Sequence, residues 1–261
     1  MTSGEENAPS VYEMQHEVWP GWADGDFGAE EDAAQILDLV ERSTPGRALD
    51  LGCGSGRLSC AMAKLGWRID GVDISTHLID RARRRAERHG VAGTTSFEVA
   101  DLRQFIPQEP YELVILWDSV LAIWPWGDAR QTLGKICEKS VSSGGHLVIG
   151  QLNPAYFSKR PDFKVAFENP AIGPGKSRRH YQYDTETGVL CDDVSVSHDG
   201  VVSRLPTQCL FLVPPSDIEG TLCGLNFAVH ASIGSADWVW PDQRRAADQD
   251  AAQFILVGRK T

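Results

Sequence analysis

Cationic surplus is missing from this chain. Its 261 residues carry 25 Lys and Arg against 36 Asp and Glu, a net charge of −11. Nucleic acid and anionic membrane are polyanions that such a surface repels, so neither is an expected partner. One basic run, from Arg81 to Arg88, reads as the solvated end of a helix closed by Gly90, where cations complement the helix dipole. No apolar stretch reaches the length of a membrane span, and the polar opening Met1-Thr-Ser-Gly-Glu-Glu does not read as a signal peptide. The six cysteines include no CxxC pair and no Cys/His metal spacing. Several fall in expected helices or strands, where a free thiol acts as a small hydrophobe. The expectation is a reduced, cytoplasmic setting and no metal.

What the chain does have is the run Ala48-Leu-Asp-Leu-Gly-Cys-Gly-Ser-Gly-Arg57. An apolar strand leads into three alternating glycines, and a helix begins at Arg57 or Leu58. Glycine allows positive φ and lets a ligand lie against bare backbone. The spacing is GxGxG, which differs from the GxGxxG of a dinucleotide pyrophosphate site. Asp50 stands two residues before Gly52. Its carboxylate disfavours a pyrophosphate and suits a ligand bearing an ammonium or sulfonium charge.

A second acid follows at a set distance. Trp67-Arg-Ile-Asp-Gly-Val-Asp73 reads as a strand ending in a carboxylate 21 positions after Gly52. With a helix between, the tips of two adjacent parallel strands meet at the carboxyl edge of the sheet, where ligands bind. An acid there can accept hydrogen bonds from both hydroxyls of a ribose. The DxGxGxG run with GVD at this spacing resembles the class I S-adenosylmethionine (SAM)-dependent methyltransferases.

Strand and helix alternate from residue 47 onward. Strands are expected at 48–51, 67–72, 96–99, 111–117 and 146–150, with helices at 57–65, 76–89 and 128–139 between them. This order predicts a parallel sheet covered by helices. An earlier helix over 30–41 puts Ala33, Ile36, Leu37 and Val40 on one face. Residues 155–176, rich in Pro, Gly and Lys, read as a loop. Strand-like runs at 180–183, 189–198 and 201–213, joined by short turns, predict antiparallel hairpins. Pro214-Pro-Ser216 caps a short helix, and 227–233 and 253–258 close the sheet.

The resemblance implies an α/β, Rossmann-like class I methyltransferase fold. Its seven-stranded, mostly parallel sheet is flanked by helices, with an antiparallel β insertion after the fifth strand. The expected organisation is an N-terminal lid segment over 1–29 and a SAM-binding core over 30–154. An insertion over 155–213 serves as a lid or as a contact between copies in a homo-oligomer, and 214–261 complete the core sheet. The cofactor implied is SAM, leaving as S-adenosylhomocysteine.

The same resemblance implies a cofactor site of Asp50, Gly52, Gly54, Gly56, Asp73, Ile74, Asp101, Leu102 and Leu116. Asp101, ending the third strand, would accept from the adenine amino group, with Ile74 and Leu102 as apolar walls. Trp117 and Asp118, following the fourth strand, are the residues expected nearest the reactive methyl and are the catalytic candidates. An Asn/Asp-Pro-Pro-Tyr/Phe motif of nucleic-acid amino-methylating enzymes is missing there, and Asn153-Pro-Ala-Tyr156 reads as a turn.

Tyr12, Trp19, Trp22, Trp124 and His180 are the expected acceptor contacts. The tryptophans sit beside Pro and Gly in loops, where exposed rings need covering. The expected reaction is methyl transfer to a small molecule of the natural-product tailoring kind. An amine acceptor is preferred over a hydroxyl, and a non-methylating reaction on the same fold is the alternative.

Overall fold

The computed structural model describes residues 26, 28–42, 44–168, 175–235, 244–246 and 251–261. The segment holding Tyr12, Trp19 and Trp22 therefore lies outside the described residues. So does most of the expected lid.

Five strands, β1 (Arg47–Leu51), β2 (Arg68–Asp73), β3 (Thr95–Val99), β4 (Tyr111–Leu116) and β5 (Val141–Leu152), run parallel in one sheet. In the full sheet order, β3, β2, β1, β4 and β5 are followed by β13 (Gln253–Lys260), β11 (Phe227–Ser235) and β12 (Arg244–Ala246). β13 is antiparallel to β5, and β11 to β13. The seven expected strands are thus present, and the three-residue β12 adds an eighth at the edge.

The central strands are buried on both faces, as a parallel sheet covered on both sides demands. Ala48, Ile69, Leu113 and Val148 face one apolar cluster with Ile36, Met62 and Ile79. These three come from α1 (Ala29–Leu39), α2 (Arg57–Lys64) and α3 (Thr76–Arg88). Leu49, Val72, Val114 and Leu147 face the other, with Leu133 of α4 (Trp126–Lys139). α3 starts at a Ser75 cap, whose Oγ accepts from the Leu78 amide at 3.1 Å. No helix among the described residues is long and apolar enough to cross a membrane.

The chain then departs from the expected loop at 155–176. Asn153 caps a short α5 (Pro154–Ser158) through Oδ1 to the Ala155 amide, and β6 (Asp162–Glu168) follows. Phe163 and Val165 alternate with Asp162 and Lys164, a strand period obscured by the neighbouring prolines. β6 pairs with β7 (Gly175–Asp184), which pairs with β8 (Val189–His198). The single strand expected over 201–213 is two, β9 (Val201–Arg204) and β10 (Gln208–Phe211), both on the same edge of β8. Pro206, which lacks an N–H, lies in the break.

This second sheet seats on the core through Tyr181, Leu190, Leu210 and Leu212. They pack with Phe157, Leu152 and Ala122, the last from a 3-10 turn, Val120–Ile123. Phe163 stacks on Tyr181 at 4.9 Å between ring centroids. α6 (Pro215–Gly224) returns the chain to the main sheet.

Candidate active site

The three glycines after β1 all have positive φ: Gly52 at 76°, Gly54 at 54° and Gly56 at 73°. Their surroundings differ. A Cβ on Gly52 would lie 2.5 Å from Val120 Cγ2, and one on Gly56 would lie 2.9 Å from Ala82 Cβ. Among the described residues, nothing stands within 4 Å of the Cβ position at Gly54. Gly52 and Gly56 close the packing of the loop, while Gly54 leaves open backbone that a ligand can approach.

Asp73 ties this loop to the tip of β2. Its Oδ2 accepts from the Gly54 amide and its Oδ1 from the Ser75 amide, each at 2.9 Å. A carboxylate has about four acceptor sites, more than these two amides occupy, and can accept from a vicinal diol as well. Ile74 beside it is 54% exposed, an apolar surface at the mouth of the loop. Leu102 is buried at the next strand tip. The Asp101 carboxylate is held by the Arg103 backbone amide and guanidinium. Arg103 in turn lies over the half-buried Trp124 ring, 5.9 Å from its centroid.

Asp50 carries its carboxylate beneath the loop, against Ser59 of α2. It is 3% exposed and accepts from Ser59 Oγ at 2.5 Å. Burial away from water raises its pKa to about 6.

Leu116 ends β4 in the core, so only its backbone reaches the strand tip. Trp117 lies flat against Gly150 of β5: a Cβ on Gly150 would be 2.9 Å from Trp117 Cε3. The indole lies beside Asp32 of α1 and helps to hold its pKa down against burial. Asp118 and Ser119 both hold left-handed backbone, φ 55° and 66°. Side-chain residues pay strain there, and such strain persists only where the surroundings enforce it. Ser119 supplies the enforcement, donating its amide to Gly150 O and accepting the Leu152 amide on Oγ, each at 3.0 Å. The turn therefore presents Asp118 outward, with its side chain 66% exposed.

Two residues not foreseen from the sequence organise this turn. Arg57, directly after the last loop glycine, pairs with Asp32 at 2.9 Å and reaches Asp118 at 3.6 Å. Asp32 is 5% exposed, and burial lifts its pKa to about 6 against the opposing pull of Arg57. The signal was present in the helical period: Asp32 is four residues before Ile36 and shares its buried face.

The site thus gathers Gly54, Asp73, Ile74, Asp50, Trp117 and Asp118 around adjacent strand tips. His180 stays apart. It pairs with Asp162 at 2.9 Å on the face of the second sheet opposite Tyr181, which packs toward the core. Among the described residues, no three His, Cys, Asp or Glu side chains are placed to hold a metal ion.

The open backbone at Gly54, the diol-ready Asp73, the apolar Ile74 and the surrounding carboxylates fit a cationic nucleoside such as SAM. Comparison with known proteins agrees. Residues 48–145 match the methyltransferase domain family. The CcbJ methyltransferase of Streptomyces caelestis has a similar fold, with a TM-score of 0.77 at 20% identity over 97% of this chain and 99% of that one. SAM-bound CalS10, an amino pentose methyltransferase of Micromonospora echinaspora involved in calicheamicin biosynthesis, superposes with a TM-score of 0.69. Its identity is 14%, over 99% of this chain and all of that one. In sequence, nodulation protein S of Rhizobium tropici is 26% identical over 129 residues, 49% of this chain and 52% of that protein. The chain spans about half the length, or less, of the curated relatives it matches first.

The fold is that of the class I SAM-dependent methyltransferases. Over residues 48–145 the chain matches a methyltransferase domain, and the SAM-bound amino pentose methyltransferase shares its fold.

Proposed function

We propose that this chain methylates an amine on a small organic acceptor. The observation that carries the reading is the paired tie of Asp73 to the Gly54 and Ser75 amides, which sets a diol-binding carboxylate beside open backbone. When bound, SAM supplies an electrophilic methyl on a cationic sulfur.

The residues of the chain then align and shield. Gly54 and Asp73 hold the nucleoside, Ile74, Leu102 and Asp101 flank its base, and Asp50 adds negative charge under the loop. Trp117 gives a flat wall at the β4 tip, and its face favours a nearby cation by about 0.5–2 kcal/mol. Asp118, outward on its strained turn, accepts the proton that an ammonium acceptor must lose before attack, or holds the amine in line. Preference for nitrogen is supported by the absence of histidine from loops 52–56, 73–75, 100–103 and 117–120. The likeness to an amino pentose methyltransferase over nearly the whole chain supports it too. Acceptor selection falls to the second sheet and the N-terminal segment, including Tyr12, Trp19 and Trp22, with the second sheet also a candidate contact between copies.

Incubating the purified chain with SAM and a panel of amino sugars, other amines and phenols tests this reading. S-adenosylhomocysteine and a methylated amine should appear together by mass spectrometry. Methylation of phenols alone would overturn the nitrogen preference.

A further inference from the structure

The outer face of the second sheet carries two thiols that the proposed methyl transfer does not use. Cys191 on β8 and Cys209 on β10 are direct partners in the antiparallel register, and their sulfurs are 2.9 Å apart. Directly opposed residues in antiparallel strands have Cα atoms about 4.5–5.5 Å apart, within the range a disulfide spans, so no backbone shift is needed to join them. Their neighbours Leu190 and Leu210 point the other way, into the cluster against the core. Cys209 is exposed and Cys191 is half-buried.

The other four thiols lack this arrangement. Cys60 and Cys137 are buried, and Cys53 is pushed well above its ordinary pKa by desolvation. Cys223 is exposed on α6 and is in none of the sulfur–sulfur contacts of the described residues.

We propose that Cys191 and Cys209 form a reversible dithiol–disulfide site oxidised by peroxide. The Cys209 thiolate attacks a peroxide oxygen. An S–O bond forms, the O–O bond breaks, and hydroxide leaves to become water, giving a sulfenic acid at Cys209. The Cys191 sulfur then attacks the Cys209 sulfur. The S–S bond forms and the S–O bond breaks, and the departing hydroxide takes the Cys191 proton as a second water. Two thiols and one hydrogen peroxide thus yield one disulfide and two waters, and an added dithiol reverses the change by exchange. The contact with Cys209 and partial burial raise the Cys191 thiol to about 11, so Cys191 keeps its proton while the exposed partner meets the oxidant.

The test treats the full chain with hydrogen peroxide, blocks remaining thiols, and maps peptides without reduction. A Cys191–Cys209 cross-linked peptide, lighter by two hydrogens and lost on adding dithiothreitol, is expected, with free thiols falling from six to four. Both side chains lie on the sheet's outer face, so serine replacements keep the fold. Cys191→Ser should leave a Cys209 sulfenic acid that dimedone traps, and Cys209→Ser should leave Cys191 reduced at the same dose. Overoxidation of Cys209 in the parent without a cross-link would overturn the proposal. So would a bond between two copies, or cross-linking through Cys223.

Discussion

Trp117 lies so close to Gly150 that a single methyl group could not fit between them: the Cβ position is 2.9 Å from Cε3 and 3.1 Å from Cζ3. The ring is thus aimed by the absence of a side chain on the neighbouring strand. Gly150 has no positive φ to relieve, so Gly150→Ala acts through space alone. Overpacking of this kind costs about 1–3 kcal/mol. The ring must move away from its place beside Asp32 at the β4 tip. Turnover should fall about tenfold or more, while the SAM dissociation constant changes by less than about threefold, because the Gly54–Asp73 side of the site is untouched. Steady-state kinetics beside titration calorimetry measure both, and an unchanged turnover would remove Trp117 from the reaction.

That relationship marks where sequence reading ends. The glycine run and the timed acid are local signals, since each needs only a strand, a tight turn and a fixed spacing. The parallel order follows from the strand–helix alternation. Gly150 and Trp117 are 33 positions apart and meet only through the β4–β5 register, in which Leu116 faces Ile149. Asp32 and Arg57 likewise meet by packing of α1 on α2. β6 was obscured for a different reason: prolines near its ends suggested a loop, while its Phe163 and Val165 carried a strand period too short to stand out.

Asp73→Ala should weaken SAM binding far more than Asp118→Ala. Asp73 holds two backbone amides and would accept from the ribose, so its loss removes charged hydrogen bonds and loosens the loop. Such bonds are worth about 1.5–3 kcal/mol, or about 10- to 150-fold in affinity. Asp118 faces solvent and should change the dissociation constant by under about threefold. Calorimetric titration of both variants with SAM decides, and equal losses would mean the ribose is misplaced.

Asp50 should make cofactor affinity depend on pH. Its folded pKa, about 6, exceeds the ordinary 3.8, so the native state binds the proton more tightly than the unfolded chain. Its contribution to stability is therefore present at low pH and is lost as pH rises from about 4 through 6. Asp50→Asn keeps an acceptor for Ser59 and removes the buried charge. It should be more stable than the parent at pH 7, by at most about 3 kcal/mol, with the gap closing toward pH 4. Cation binding has the opposite preference for the ionised form. Affinity of the parent for SAM should rise about tenfold from pH 5 to pH 7 and stay flat in Asp50→Asn. Denaturant titrations and calorimetry across this range check both, and parallel pH curves would show that Asp50 does not sense the cofactor.

Arg57 compensates the buried Asp32 and flanks Asp118, so removing it should expose a charge imbalance that pH can tune. Burial raises the Asp32 pKa and Arg57 holds it down. Without the guanidinium, that carboxyl titrates above about 6. At pH 8 it is ionised and unpaired in Arg57→Ala, a loss of about 3–5 kcal/mol for a broken buried pair. Lowering the pH toward 6 lets Asp32 take up a proton and should recover part of that loss, because the raised folded pKa favours the protonated native state. Arg57→Ala/Asp32→Asn carries no buried charge at either position and should be more stable at pH 8 than Arg57→Ala alone. The pair is in direct contact, so the double-mutant cycle should be strongly non-additive. Urea unfolding of the parent, the two single variants and the double at pH 6 and pH 8 gives every term. Additive losses at pH 8 would show that the 2.9 Å contact does not couple the two residues in solution.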